Sequence, residues 1–195
     1  MMPKHTMDVP DLNSLGGSEE DGLIYKALRR LYFLLVRDKA KRHNRYLSLS
    51  DYIVDRWERA AYMGFGDGSS VYDSCLVLGD VKVGKDTWIG PYTILDGSGG
   101  GLIIGDGCAI SAGVHIYTHD TVDNVISELE ISHAPVKIGN HVYIGPQSVV
   151  SKGITIGDYC VIGAHSLVNK DIPAGVKAFG NPAKVVGLSR GNSII

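Results

Sequence analysis

The sequence predicts an all-β solenoid: a parallel β-helix with an N-terminal α-helical cap. Three observations predict it. Aliphatic residues recur every six positions over most of the chain, glycine keeps a fixed place beside them, and two helical patterns precede the repeat.

Taking the elements in order, the opening stretch MMPKHTMDVPDLNSLGGSEEDG has no apolar signal core, and residues 1–19 read as a disordered leader. Residues 20–66 read as the helical cap. In EDGLIYKALRRLYFLLVRDKAKRHNR, Leu28, Leu31, Leu34 and Leu35 fall in one stripe at helical spacing. A second helix is expected in SLSDYIVDRWERAAYMGF, with Ser50 as N-cap and Asp51 favourable at the positive helix end. Such helices should cover the open end of a coil stack, whose strand edges would otherwise be unpaired. The basic residues Arg29, Arg30, Arg37, Lys39, Lys41, Arg42 and Arg45 admit a peripheral membrane contact through the helix at 20–45, beside the simpler reading of a solvated face.

Residues 67–187 carry the repeat. Val71, Val77, Val83, Ile89 and Leu95 keep a six-residue frame; it resumes at Ile104, Ile110 and Ile116, then at Ile138, Ile144, Val150, Ile156, Ile162 and Val168. Glycine follows the aliphatic residue at 84, 90, 105, 139, 145, 157 and 163. The fifth position of each bar is small or aliphatic, Cys75, Thr87, Cys108, Ser148 and Cys160 among them. A six-residue bar is a short strand plus a turn, and three bars close a triangular coil of about 18 residues whose aliphatic side chains stack in columns. Residues 188–195 are left as a tail.

Bulk properties narrow the class. The net charge of −2 gives no global basic footprint for nucleic acid, and no stretch approaches the length of a membrane span. Three cysteines, widely spaced and without a CxxC pair, fit neither a disulfide framework nor a zinc site; they read as small inward fillers. A cytoplasmic protein is the expectation.

Two interruptions break the frame. Asp96–Ile103, DGSGGGLI, reads as a plain corner insertion without obvious chemistry, since it lacks a P-loop lysine and opens no helix. The second, YTHDTVDNVISELEISHAPVK at 117–137, is long enough for a functional loop. His119 stands at its start, and imidazole suits proton transfer near neutral pH. Asp120, or a backbone carbonyl, could orient the ring. His115 ends the preceding bar and could touch an acceptor, while His133 is the second candidate for catalysis. His141 and His165 hold positions that normally face solvent.

The stretch IGDYCVIGAHSLVNKDIPAGVKAFGNPAKVVG resembles the C-terminal end of the hexapeptide-repeat acyltransferases. The likeness is to the galactoside, maltose and xenobiotic acetyltransferases and to lipopolysaccharide-type sugar O-acetyltransferases, over about residues 60–187. The resemblance implies a left-handed β-helix, a homotrimer with interfacial sites, and acetyl-CoA as co-substrate without a metal. It implies His119 as general base, although the family's Gly-His-Pro context is Thr-His-Asp here; by their position beside it, His115 and Asp120 are expected toward the acceptor. Toward the donor it implies Gly145 and Ala164 as close-approach positions, Tyr143 in place of a tryptophan, Asn169 and Lys170 in place of a Thr-Lys pair, and Lys184 in place of a phosphate-binding arginine. The expected reaction is direct acetyl transfer to a sugar hydroxyl, in polysaccharide or a sugar precursor. N-acetylation of a nucleotide-linked amino sugar is the alternative, and a non-catalytic scaffold the third. Gamma-class carbonic anhydrases share the fold, but Pro146 and Ser151 stand where their zinc-binding histidines would be, and neither can ligate zinc.

Overall fold

The computed structural model describes residues 17–189, so most of the leader and all but two residues of the tail lie outside it. The chain divides into two compact units at Ile53/Val54, inside the segment expected to be one helical cap.

In the first unit, helix α1 runs Glu19–His43 and helix α2 Leu49–Ile53. Ser18 and Asp21 form a reciprocal capping box, acidic residues fill the first turn and basic ones the last, and Asn44 ends α1 in the left-handed conformation. The expected N-cap at Ser50 is displaced. α2 begins at Leu49, so Ser50 lies inside it, and it is the Ser48 hydroxyl that donates to Asp51 at 2.7 Å. Tyr52 is buried, packs edge-on to Tyr32, and accepts the Leu47 amide on its hydroxyl at 2.8 Å. The expected stripe on α1 stays open: Leu28, Leu31 and Leu34 are exposed, and α1 buries no residue.

The second predicted helix is in fact two. Asp55 adopts extended backbone, accepts the Trp57 and Glu58 amides, and starts a new helix, α3, at Arg56–Tyr62. α3 packs against the first coil in the way expected of a cap. Ala60 is 1% exposed in the core, and Arg59 pairs with Asp73 while donating to the Tyr72 and Cys75 carbonyls.

Behind α3 the chain winds as a parallel β-solenoid, a left-handed β-helix of about six turns. Three faces recur. The first stacks Ser70–Val71, Trp88–Ile89, Ala109–Ile110, Tyr143–Ile144 and Val161–Ile162, all parallel, before Val176–Phe179. Its inward column, Val71, Ile89, Ile110, Ile144, Ile162 and Ala178, is wholly buried. The second column is Val77, Leu95, Ile116, Val150 and Val168, and the third Val83, Ile104, Ile138, Ile156 and Ile172. The six-residue frame is therefore the core, with Val77 alone among its members half-buried. An antiparallel strand, Lys184–Leu188, pairs with the last coil.

The fifth-position residues do more than fill. Thr87, Ser148, Cys75, Cys108 and Cys160 each donate to a carbonyl one coil further along, at 2.9–3.1 Å. Burial pushes the Cys108 thiol up from its ordinary value, so it stays a protonated donor. Glycine at the corners is a packing requirement: a Cβ on Gly145 would lie 2.5 Å from the Ala164 amide nitrogen of the next coil.

Because the columns are dry and closely packed, Ile144→Ala should destabilise the protein by about 2–5 kcal/mol, measured as a lower midpoint in urea unfolding.

Candidate active site

Both interruptions leave the prism at the same edge. Leu95 and Ile116 are register partners on adjacent coils of the second face, and the chain departs from the frame directly after each. The first interruption stays in the sheet, within the continuous strand Ile94–Ile104. The second becomes an excursion with a two-residue ribbon at its root, pairing His119 with His133 and Asp120 with Ser132, and a short helix α4, Val122–Ser127, at its tip. Residues 121–131 are exposed throughout.

The shared edge brings together two groups far apart in sequence. His119 Nδ1 lies 2.9 Å from Asp96 Oδ2; the carboxylate is 2% exposed and the ring 34%. A carboxylate only accepts, so the facing Nδ1 carries the hydrogen and Nε2 is left as the basic nitrogen. The other carboxylate oxygen accepts from the Ser98 hydroxyl at 2.5 Å and the Ser98 amide at 2.9 Å. Thr118, fully buried, donates its hydroxyl to the Asp96 carbonyl at 2.8 Å and accepts the Gly99 amide at 2.7 Å. The ring is thus placed by contacts from the adjacent coil, with the Ser98 hydroxyl also 3.4 Å from Nδ1.

This corrects the view of the first interruption. It is no plain insertion, because Asp96, Ser98 and Gly99 support His119. The sequence carried a signal in Asp-Gly-Ser, since an aspartate commonly accepts the amide two residues on. Asp120 does not reach the ring as orienter. It pairs with Lys152, and that hydrogen bond, with a second from the Val122 amide, holds its carboxyl below the ordinary carboxylate value. It is anionic near neutral pH and sits beside His119 on the same ribbon. His115 is half-buried, with its ring edge-on to Tyr117. His133 lies alongside His119, the ring centroids 5.9 Å apart.

The remaining predicted residues fall in two places. Asn169 and Lys170 are exposed on the same edge as His119, two coils further along, since Ile116, Val150 and Val168 are in register. Tyr143 is exposed on the first face, and Gly145 and Ala164 lie at the different edge where that face ends. Lys184 is exposed opposite Phe179 on the final hairpin. Ala164 is exposed, but Gly145 is buried, and its lack of a side chain is explained by coil stacking. One chain therefore does not gather all of these residues at one edge. Among the described residues, no group of three His, Cys, Asp or Glu is placed to hold a metal ion.

The pattern matches two family models, "Bacterial transferase hexapeptide (six repeats)" over residues 135–170 and "Hexapeptide repeat of succinyl-transferase" over residues 80–118. The chain is 41% identical over 154 residues to Nodulation protein L of Rhizobium leguminosarum bv. viciae, a match covering 74% of this chain and 78% of that one. To the protein of the same name from Rhizobium meliloti it is 48% identical over 89 residues, 44% of this chain and about half the length of that relative. Among solved structures, a maltose O-acetyltransferase from Clostridium difficile 630 superposes with a TM-score of 0.56 at 28% identity, covering 85% and 86% of the two chains. AntD, an N-acyltransferase from Bacillus cereus in complex with dTDP and 3-hydroxybutyryl-CoA, gives a TM-score of 0.59 over 65% and 72%. Its 24% identity speaks to the fold alone.

Gly99 packs directly beneath the ring: a Cβ there would lie 2.2 Å from the Thr118 carbonyl oxygen and 2.7 Å from the His119 Cβ. Gly99→Ala should push the ring off Asp96 while the coils stay folded. Nitrogen-15 NMR of the imidazole should show loss of the Nδ1–H tautomer, with an unchanged far-UV circular dichroism spectrum.

Proposed function

Since the chain belongs to the bacterial hexapeptide-repeat transferase family and is an acyltransferase, we propose that it moves an acetyl group from acetyl-CoA to a sugar hydroxyl, with His119 as general base. The observation that carries this reading is the His119–Asp96 pair: a half-exposed imidazole whose Nδ1 is bound to a buried carboxylate and whose Nε2 is free to take a proton.

In this mechanism Nε2 accepts the hydroxyl proton as the acceptor oxygen attacks the thioester carbonyl. The Asp96 carboxylate balances the charge that the ring acquires, and a backbone amide steadies the oxyanion. Collapse of the tetrahedral intermediate breaks the carbon–sulfur bond, and the imidazolium returns its proton to the departing thiolate. No acyl-enzyme is needed. The three cysteines are buried within the coils, and the Cys108 thiol is held protonated.

The donor would lie in a seam between copies. His119, Asn169 and Lys170 occupy one edge, Ala164 another and Tyr143 the first face, so two chains side by side can line a groove that one cannot. A homotrimer with three such seams is the assembly proposed. Tyr143 would meet the thioester end, Ala164 leave room for the pantetheine arm, and Lys184 meet the nucleotide phosphates as a point charge. Transfer to oxygen is favoured over transfer to an amino sugar because the O-acetyltransferase likeness covers 85% of this chain at 28% identity.

His119→Ala should lower turnover by roughly two to four orders of magnitude, while calorimetry still detects acetyl-CoA binding. Asp96→Asn should cost at least about tenfold through loss of the oriented tautomer. Near-normal transfer by His119→Ala would overturn the assignment and turn attention to His133. Thiol release measured with free sugars and with nucleotide-activated amino sugars separates the two acceptor classes.

A further inference from the structure

Helix α1 has a surface that the chemistry of transfer leaves unused. Leu23, Ile24, Leu28, Leu31 and Leu34 are 67%, 58%, 53%, 48% and 50% exposed. At 3.6 residues per turn they form one apolar stripe along about 16 Å of helix. Beside it, at steps of four, seven and four residues, run Lys26, Arg30, Arg37 and Lys41, all exposed. Residues 26–45 contain eight basic residues against one acidic, Asp38, in a chain of net charge −2. Asp38 is itself paired with Arg42. The other acidic residues of α1 are confined to its first turn.

We propose that α1 lies on anionic lipid surfaces, its leucine stripe entering the headgroup boundary and its basic row meeting lipid phosphates. The charge pattern selects this occupant. Two copies of α1 packed stripe to stripe would bring a basic row into the seam with no acidic row to meet it, and like charges there oppose pairing. An anionic bilayer neutralises that row and takes up the leucines together. The contact is one of surface attachment, as no helix among the described residues is long and apolar enough to cross a membrane.

The test is co-sedimentation of the full chain with large unilamellar vesicles, either pure phosphatidylcholine or phosphatidylcholine with about 30 mol % phosphatidylglycerol. Binding to the anionic vesicles should exceed binding to the neutral ones by at least about tenfold and be released by about 0.5 M NaCl. The double variant Leu28→Glu/Leu31→Glu should abolish sedimentation without changing the mass read by light scattering. Arg30→Ser/Arg37→Ser, which leaves the stripe intact, should weaken binding by at least about tenfold. Absence of binding by the parent chain, or equal binding to neutral vesicles, overturns the proposal. A change in mass with Leu28→Glu/Leu31→Glu, without vesicle binding by the parent, assigns the stripe to a contact between copies.

Discussion

Every coil of this protein must return its backbone to the same three lines, because each strand finds its hydrogen-bond partners only on the coils before and after it. That register is the constraint on which the rest depends. It fixes the aliphatic columns, admits only small groups at the glycine corners, and recruits serine, threonine and cysteine as internal donors from coil to coil. It also decides where irregularity can occur. Extra residues are taken up at an edge, either within a longer strand, as in Ile94–Ile104, or as an excursion outside the sheet.

The candidate site is built on that restriction. Two departures from one edge, on adjacent coils, put an aspartate and a histidine 23 positions apart in sequence within hydrogen-bonding distance. Neither insertion would make a site alone. The first supplies a buried carboxylate with its own hydroxyl and amide donors, and the second an imidazole at the root of a ribbon. Thr118 ties one to the other through backbone groups on both sides. The ring is held by a rigid scaffold while the rest of the excursion remains open to solvent.

The coils were legible in the sequence because a six-residue period is imposed by backbone geometry at every turn, and the aliphatic frame from Val71 to Val168 is the interior column set. His119 stands out in the sequence for a related reason: it lies where the frame stops. Asp96 was not, because the glycines around it suggest a flexible filler, and its meaning appears only when bars are counted in threes. Leu95 and Ile116 then fall at the same place in successive coils. Asp120 adjoins His119 in sequence, yet neighbours along a strand point to opposite sides, and Lys152 claims its carboxylate. The helical segment breaks at Asp55, where a side chain able to satisfy two amides makes a new start cheaper than continuation.

The short ribbon at the base of the excursion has a consequence for how such a protein can diversify. His119 and His133 clasp the two ends of the segment to each other, and residues 121–131 between them are exposed outside the stacked coils. The intervening residues can be shortened, lengthened or rewritten without disturbing the imidazole beneath. On the proposed function, selectivity and proton transfer are thereby uncoupled, so a lineage can explore new acceptors around one imidazole by editing a tethered flap.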